Sequence, residues 1–221
     1  MFRIGFAIAL LAILAVPVLA DTEATTPLTA TPDLLGPTGC IITPTTEIGA
    51  RTYGIGYHWV QDTFDAVAKA NFAPINQLEF GVAWIKYHDP AAKSRTVFHA
   101  KYQICTESKW TPAVAVGCWD VTDQVDTNPY GVISKTFGSD VPFILNVGGA
   151  IGDDDAIMRG FFGNLTIRLR PQVDALLEWD SEAWNFGVRV RPYKSFTIDL
   201  LSVDNEGTRD FGVGASYLAS F

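Results

Sequence analysis

The chain has 221 residues, 48% hydrophobic and 12% aromatic, with 16 Lys and Arg against 24 Asp and Glu and a formal net charge of −8. That acidic balance excludes nucleic acid as the expected partner, since a phosphate backbone is held by basic surface. Beyond the first twenty residues no apolar run approaches the ~20 residues a spanning helix needs, which excludes a helical membrane protein in spite of the hydrophobic composition.

Arg3 precedes an apolar run over 4–18, and Val18, Leu19 and Ala20 supply a small-residue cleavage site before Asp21. This is the pattern of a secretory signal peptide over residues 1–20, so the mature chain is expected to start at Asp21. Cys40, Cys105 and Cys118 then enter an oxidising compartment, where one pair and one leftover thiol is an open possibility. No Cys-x-x-Cys pair or Cys/His cluster with zinc spacing is present, and no metal or cofactor is expected.

Residues 21–39 are rich in Thr, Pro and Ala without periodicity and read as a flexible periplasmic lead-in; a barrel is expected over 40–221. Gly39-Cys40-Ile41-Ile42-Thr43-Pro44-Thr45-Thr46 resembles the opening Gly-Leu-Ile-x-x-Pro-Thr-Ala motif of YjbH-like outer-membrane proteins, with Cys40 for Leu and Thr46 for Ala. Pro112-Ala-Val-Ala-Val-Gly-Cys-Trp-Asp-Val-Thr122 resembles the Ala-x-Gly-x-Trp-Asp strand of the same group. The resemblance implies a link to exopolysaccharide secretion.

From residue 52 the apolar residues recur with a period of two, the signature of strands with unlike faces. Tyr53, Ile55, Tyr57 and Trp59 oppose Thr52, Gly54, Gly56 and His58. Residues 62–70 place Phe64, Val67 and Ala68 at helical spacing, so a short amphipathic helix is expected there, within a periplasmic connection over 61–75. Leu78, Phe80, Val82 and Trp84 oppose Glu79 and Gly81; Phe98, Ala100, Tyr102 and Ile104 oppose His99, Lys101 and Gln103. Strands over 113–121 and 130–137 follow from Val, Ile, Gly and aromatic content, because their alternation is weak.

Phe143, Leu145 and Val147 point outward in the next segment, and Leu165, Ile167 and Leu169 oppose Thr166, Arg168 and Arg170 in the one after. Over 173–180, Ala175, Leu177 and Trp179 face out while Asp174 and Glu178 face in. Over 183–191, Trp184, Phe186, Val188 and Val190 face out while Arg189 and Arg191 face in. Opposite charges recurring on successive polar faces predict that Arg168 or Arg170 pairs with Asp174 or Glu178, and Glu178 with Arg189. A strand at 196–200 precedes the last, 210–221, whose terminal Phe221 with Tyr217 four residues earlier resembles the assembly signal of bacterial outer-membrane β-barrels.

Eleven strands are counted from Thr52, and single-chain bacterial barrels favour an even number. The expected twelfth is 41–48, with Pro44 tolerated at an edge or bulge, meeting the last strand to close the wall. The fold expected is therefore all-β, one antiparallel transmembrane barrel of about twelve strands, with ten as the alternative. Loops 88–95, 122–129, 150–160 and 204–209 are expected outside.

Glu79, His99, Lys101, Arg168, Arg170, Glu178, Arg189 and Arg191 line the expected lumen, which at this strand number is narrow or plugged. Trp59, Trp84, Trp119, Trp179 and Trp184 lie near strand ends, as an interfacial girdle requires. His58 or His99 with Ser134 or Asp120 is the one constellation suited to nucleophilic chemistry, but no Gly-x-Ser-x-Gly motif accompanies it and no catalytic residue is assigned. The expected role is structural or transport, with outer-membrane lipids and the barrel-assembly machinery as partners. The rival classes are an outer-membrane lipid-modifying enzyme and a secreted soluble all-β binding protein.

Overall fold

A sheet whose strands alternate greasy and polar side chains leaves an unpaired edge on each side, and rolling it closed removes both edges. The computed structural model shows this closure. It describes residues 31–49, 51–153, 156–205 and 207–221, so the expected signal peptide over 1–20 lies outside the described residues. The wall is built of β1 (Thr52–Val60), β2 (Phe64–Ile75), β3 (Leu78–Tyr87), β4 (Arg95–Cys105), β5 (Ala113–Trp119), β6 (Asn128–Phe137), β7 (Phe143–Ala150), β8 (Gly160–Arg170), β9 (Val173–Trp179), β10 (Trp184–Tyr193), β11 (Phe196–Asn205) and β12 (Thr208–Ser220). Every strand pairs antiparallel with its sequence neighbours, and β1 pairs with β12 to complete a twelve-stranded barrel.

Twelve strands are present, but the twelfth is not the segment expected. The wall closes along nine residue pairs from Thr52↔Ser220 to Val60↔Gly212. Residues 41–48 take no part in that seam. The missing strand is β2, in the stretch expected to be helical. Its register slips against both neighbours near Phe64, leaving an extra residue on β2 each time. Such bulges break strict alternation, so Ala66 and Val67 are both buried, and the helix-like spacing of Phe64, Val67 and Ala68 is a consequence. Residues 61–63 consequently join β1 to β2 at the same end as the connections 88–94, 120–127, 151–159 and 180–183, not at the opposite end. That end is called the loop end below; the other, where β1 begins and β12 finishes, is the terminal end.

The outer face is apolar across its middle. Ile55, Phe80, Phe98, Ile133, Leu145, Phe186 and Val213 are all exposed on it. In the described strands its charges gather at the ends: Lys86 with Asp65 (2.8 Å) and Arg209 with Asp204 (3.4 Å) at the loop end, Lys135 with Glu107 (3.1 Å) at the terminal end. Trp59, Trp84, Trp179 and Trp184 all lie at the loop end of their strands, with Trp179 against Trp184 at 5.4 Å. Tyr53, Phe72, Phe137, Phe143, Tyr217 and Phe221 ring the terminal end. Six residues separate Tyr53 from Trp59, or ~20 Å along an extended strand at ~3.3 Å per residue.

Candidate functional site: the occupied lumen

The inner face carries the polar half of each alternation, and a ring of buried charges and amides is stable only when each finds a partner. Here the partner is the chain's own leading segment. Residues 31–46 lie inside the barrel and are almost wholly buried, Leu34, Leu35 and Thr43 at 0% exposure. Residues 31–39, read from the sequence as part of a flexible lead-in, thus belong to a plug.

The plug folds back on itself, with Pro32 bridged to Thr38 and Gly39 to Pro44. Asp33 N–H donates to the Pro37 carbonyl at 2.7 Å, Leu34 N–H to Ile41 at 2.6 Å, and Cys40 N–H to Thr43 at 2.9 Å. The Asp33 carboxylate accepts from the Leu35 and Gly36 N–H groups, both at 2.8 Å. Gly36 turns in the left-handed region at φ 124°, where a side chain is strained, and a Cβ on Gly39 would collide with the Asp33 carboxylate and the Thr43 carbonyl.

Two layers of wall hold this segment. Toward the loop end, Val60, Phe64, Ile85, Val97, Trp119, Tyr130, Phe162 and Val203 pack with Met158 around Leu34 and Leu35, an apolar cap beneath the loops. Below it the polar ring grips the plug. Glu178 accepts from the main-chain N–H of Ile41 (3.0 Å), Ile42 (2.9 Å) and Thr43 (3.0 Å) and from the Thr43 hydroxyl (2.7 Å). Three successive amides converging on one carboxylate form an anion nest. Arg189 donates to the carbonyls of Gly39 (3.2 Å) and Cys40 (2.9 Å) while its Nε bonds Asp199 at 2.8 Å. Lys101 Nζ donates to the carbonyls of Thr38 (2.9 Å), Thr45 (3.2 Å) and Glu47 (2.7 Å). Glu79 accepts from the Thr38 N–H at 2.9 Å and from the Thr38 hydroxyl. Asn71 reaches the Gly36 carbonyl at 2.7 Å, Lys69 that of Pro32 at 3.2 Å, and the Trp119 indole N–H that of Leu35 at 3.2 Å. The segment rises from the terminal end, turns beneath the cap and descends, since Thr46 meets Gln103 and Ser134 near the terminal ends of β4 and β6.

Seven of the eight lumen residues expected from the sequence lie buried or part-buried on the inner face, whereas Arg170 is exposed at the terminal end of β8, past a register slip. Their pairing is only partly as expected. Arg168 meets Asp174 at 3.2 Å, which Arg191 also approaches at 2.6 Å. Glu178 does not pair with Arg189: it is committed to the plug amides, and Arg189 takes Asp199, a residue sequence reasoning left out of the lumen list. His58 bonds Asp199 at 3.2 Å, and His99 lies 3.3 Å from Asn71. Ser134 is bonded to Asn146 and the Thr46 N–H instead of either histidine, and Asp120 lies in the 120–127 connection, so the nucleophile constellation is not assembled.

Of the five girdle tryptophans, Trp119 is a correction. It shares the inner face with Ala113 and Ala115 and is fully buried in the cap. Tyr217 is exposed on the outer face, while Phe221 stacks on Phe72 at 5.7 Å under the Arg51 guanidinium, its N–H donating to the Arg51 carbonyl at 3.0 Å. Among the described residues no group of three His, Cys, Asp or Glu side chains is arranged to hold a metal ion, and Cys40, Cys105 and Cys118 are unpaired.

No family model and no curated protein matches the chain. Among solved structures, the NanC porin is similar in fold, with 11% identity over 75% of this chain and 98% of that one and a TM-score of 0.50. The N-terminal β-barrel domain of Pseudomonas aeruginosa OprF has 14% identity over 78% of this chain and 100% of that one, at a TM-score of 0.27, too low to bear on the architecture.

Proposed function

We propose that this chain is an outer-membrane β-barrel with a transport or structural role, held closed at rest by residues 31–46. The observation that carries the reading is the pairing of an outer wall fit for lipid with a lumen filled by the chain's own backbone. The exposed apolar band between two aromatic girdles supports the membrane assignment, because a soluble sandwich buries its apolar faces against each other. The fold likeness to a porin is in keeping with it. Export by residues 1–20 and assembly through Tyr217 and Phe221 belong to the same reading, with the terminal end in the periplasm.

The purified protein is expected to need detergent, to migrate faster on a gel before boiling than after, and to pass little current in a planar bilayer. A monomer soluble without detergent overturns the membrane assignment, and a large steady current overturns the closed state. The link to polysaccharide export rests on the YjbH-like resemblance, one half of which lies on the plug. Unchanged exopolysaccharide in a strain lacking this chain removes it.

A further inference from the structure

The wall holds the plug almost entirely by its main chain. Glu178 takes three successive amide N–H groups; Arg189 and Lys101 between them take five carbonyls; Asn71, Gln103 and Trp119 take one each. Every one of those plug groups is present in any polypeptide. The wall's demand on plug side chains is narrower: two threonine hydroxyls, apolar bulk at Leu34, Leu35 and Ile41, and one position, Gly36, where no side chain fits; a second, Gly39, is closed by the plug itself. At Gly36 the backbone is left-handed and a Cβ would come within 3.0 Å of the His99 ring; at Gly39 it would collide with Asp33 and Thr43. The plug's own internal bonds set its turns, and the wall's donors and acceptors outnumber them along its path.

Building on the closed-barrel reading, we propose that the lumen is a binding site for a folded-back, glycine-containing polypeptide segment, and that residues 31–47 are a resident self-ligand which a segment of the same pattern, supplied in trans, replaces. Such a ligand enters from the terminal end, where the plug both rises and leaves, because the cap of Val60, Trp119, Phe162 and Val203 blocks the loop end. Covalent linkage gives the resident segment an effective concentration in the millimolar range for a short connection, so an outside copy competes only when the resident one is weakened or the copy is abundant.

The test uses the full-length chain with Gly39→Val, which prevents its own plug from seating and leaves every wall residue intact; Gly36→Val is the second variant. Either, once folded by the gel criterion, is expected to conduct. A synthetic peptide of residues 31–47 is expected to return the current to the wild-type level, and the same peptide carrying Gly39→Val is expected to leave it open. A folded variant that stays closed overturns the closed-barrel reading. One that conducts yet is not blocked by the wild-type peptide overturns the peptide site alone. The unaltered protein gives an independent readout, since Cys40 is buried in the plug and Cys105 is exposed. Millimolar peptide with Ser in place of Cys40 is expected to speed thiol labelling at Cys40 and leave Cys105 unchanged. A Cys40 rate that does not respond at any peptide concentration overturns the proposal.

Discussion

The seam between β1 and β12 and the plug inside it are held by opposite means. At the seam, main chain meets main chain along nine residue pairs, and the side chains are free to choose lipid or lumen. In the plug, wall side chains meet main chain, and the ladder contributes nothing. A ladder is indifferent to sequence apart from the turns and close approaches it demands, whereas a plug held by Glu178, Arg189 and Lys101 depends on each of those groups. The seam should therefore fail by crowding alone, whereas the plug should fail also by loss of a single polar atom.

Crowding is sharpest at Gly214 on β12. A Cβ there would strike the imidazole of His58, which is fully buried and bonded to Asp199. Gly214→Val is expected to lower stability by about 3–5 kcal/mol, combining overpacking of about 1–3 kcal/mol with a displaced hydrogen bond to a charged group. The urea midpoint of the heat-modifiable form measures it. Removing Phe221 takes away its stack on Phe72 and its bond to Arg51, worth about 1–2 kcal/mol in the folded barrel. Its effect in the cell is expected to be larger, with export retained and outer-membrane assembly lost. Normal insertion of the shortened chain would show that the lip of the seam is dispensable.

Glu178→Ala tests the other side of the comparison. It orphans three main-chain N–H groups and the Thr43 hydroxyl at about 1–3 kcal/mol for each group left dry, so the plug is expected to loosen by about 3 kcal/mol or more. The ladder is untouched. Bilayer current should rise while the gel shift persists, and a variant that loses the gel shift as readily as Gly214→Val would mean that plug and wall are one cooperative unit.

The same division explains what the sequence disclosed. A period of two tells which side of the wall a residue faces, so Trp84, Leu145, Arg168, Glu178 and Arg189 were legible as outer or inner without any structure. It does not tell what an inner residue touches. Glu178 looked like a partner for Arg189 because the amides it accepts from lie some 135 residues earlier in the chain, in a segment with no period at all. Residues 41–48 stood for the twelfth strand because an even count required one ahead of Thr52; their β-branched Ile and Thr suit a buried plug as well. At β2 the bulges near Phe64 hid the alternation, although Lys69, Asn71 and Ala73 kept it. Trp119 carried a usable signal: its phase partners Ala113, Ala115 and Gly117 are small, as residues beneath a crowded lumen must be, while Val114 and Val116 face out.

Tryptophans on the two faces separate the two kinds of attachment at smaller scale. Trp119→Phe keeps an aromatic ring in the cap but leaves the Leu35 carbonyl without its donor, an expected loss of about 1–2 kcal/mol. Trp184→Phe on the outer face removes no such bond and is expected to shift the midpoint by less than about 0.5 kcal/mol, the usual range for a surface change. Equal losses would place the Trp119 indole outside the polar network that holds the plug.

The smallest effect belongs to the loop end, outside both plug and apolar band. His88 Nδ1 lies 2.9 Å from the Asp65 carboxylate and Nε2 lies 3.8 Å from Asp62, on side chains largely open to solvent. The hydrogen bond to Asp65 raises the His88 pKa above its ordinary 6.5; desolvation opposes it, and the charges of Asp65, Asp62 and Asp210 reinforce it. A histidine that holds its proton more tightly when folded contributes its full stabilisation below 6.5 and loses it as pH rises through the raised value. Because the pair is exposed, solvent screens it, and stability should barely change across that window. The titration itself is the readout. The His88 resonance is expected to move at a pH above 6.5 in the intact protein and back toward 6.5 in Asp65→Asn, with bilayer current unaffected in both. A current that follows the His88 titration would tie the loop end to the plug and break the separation between them.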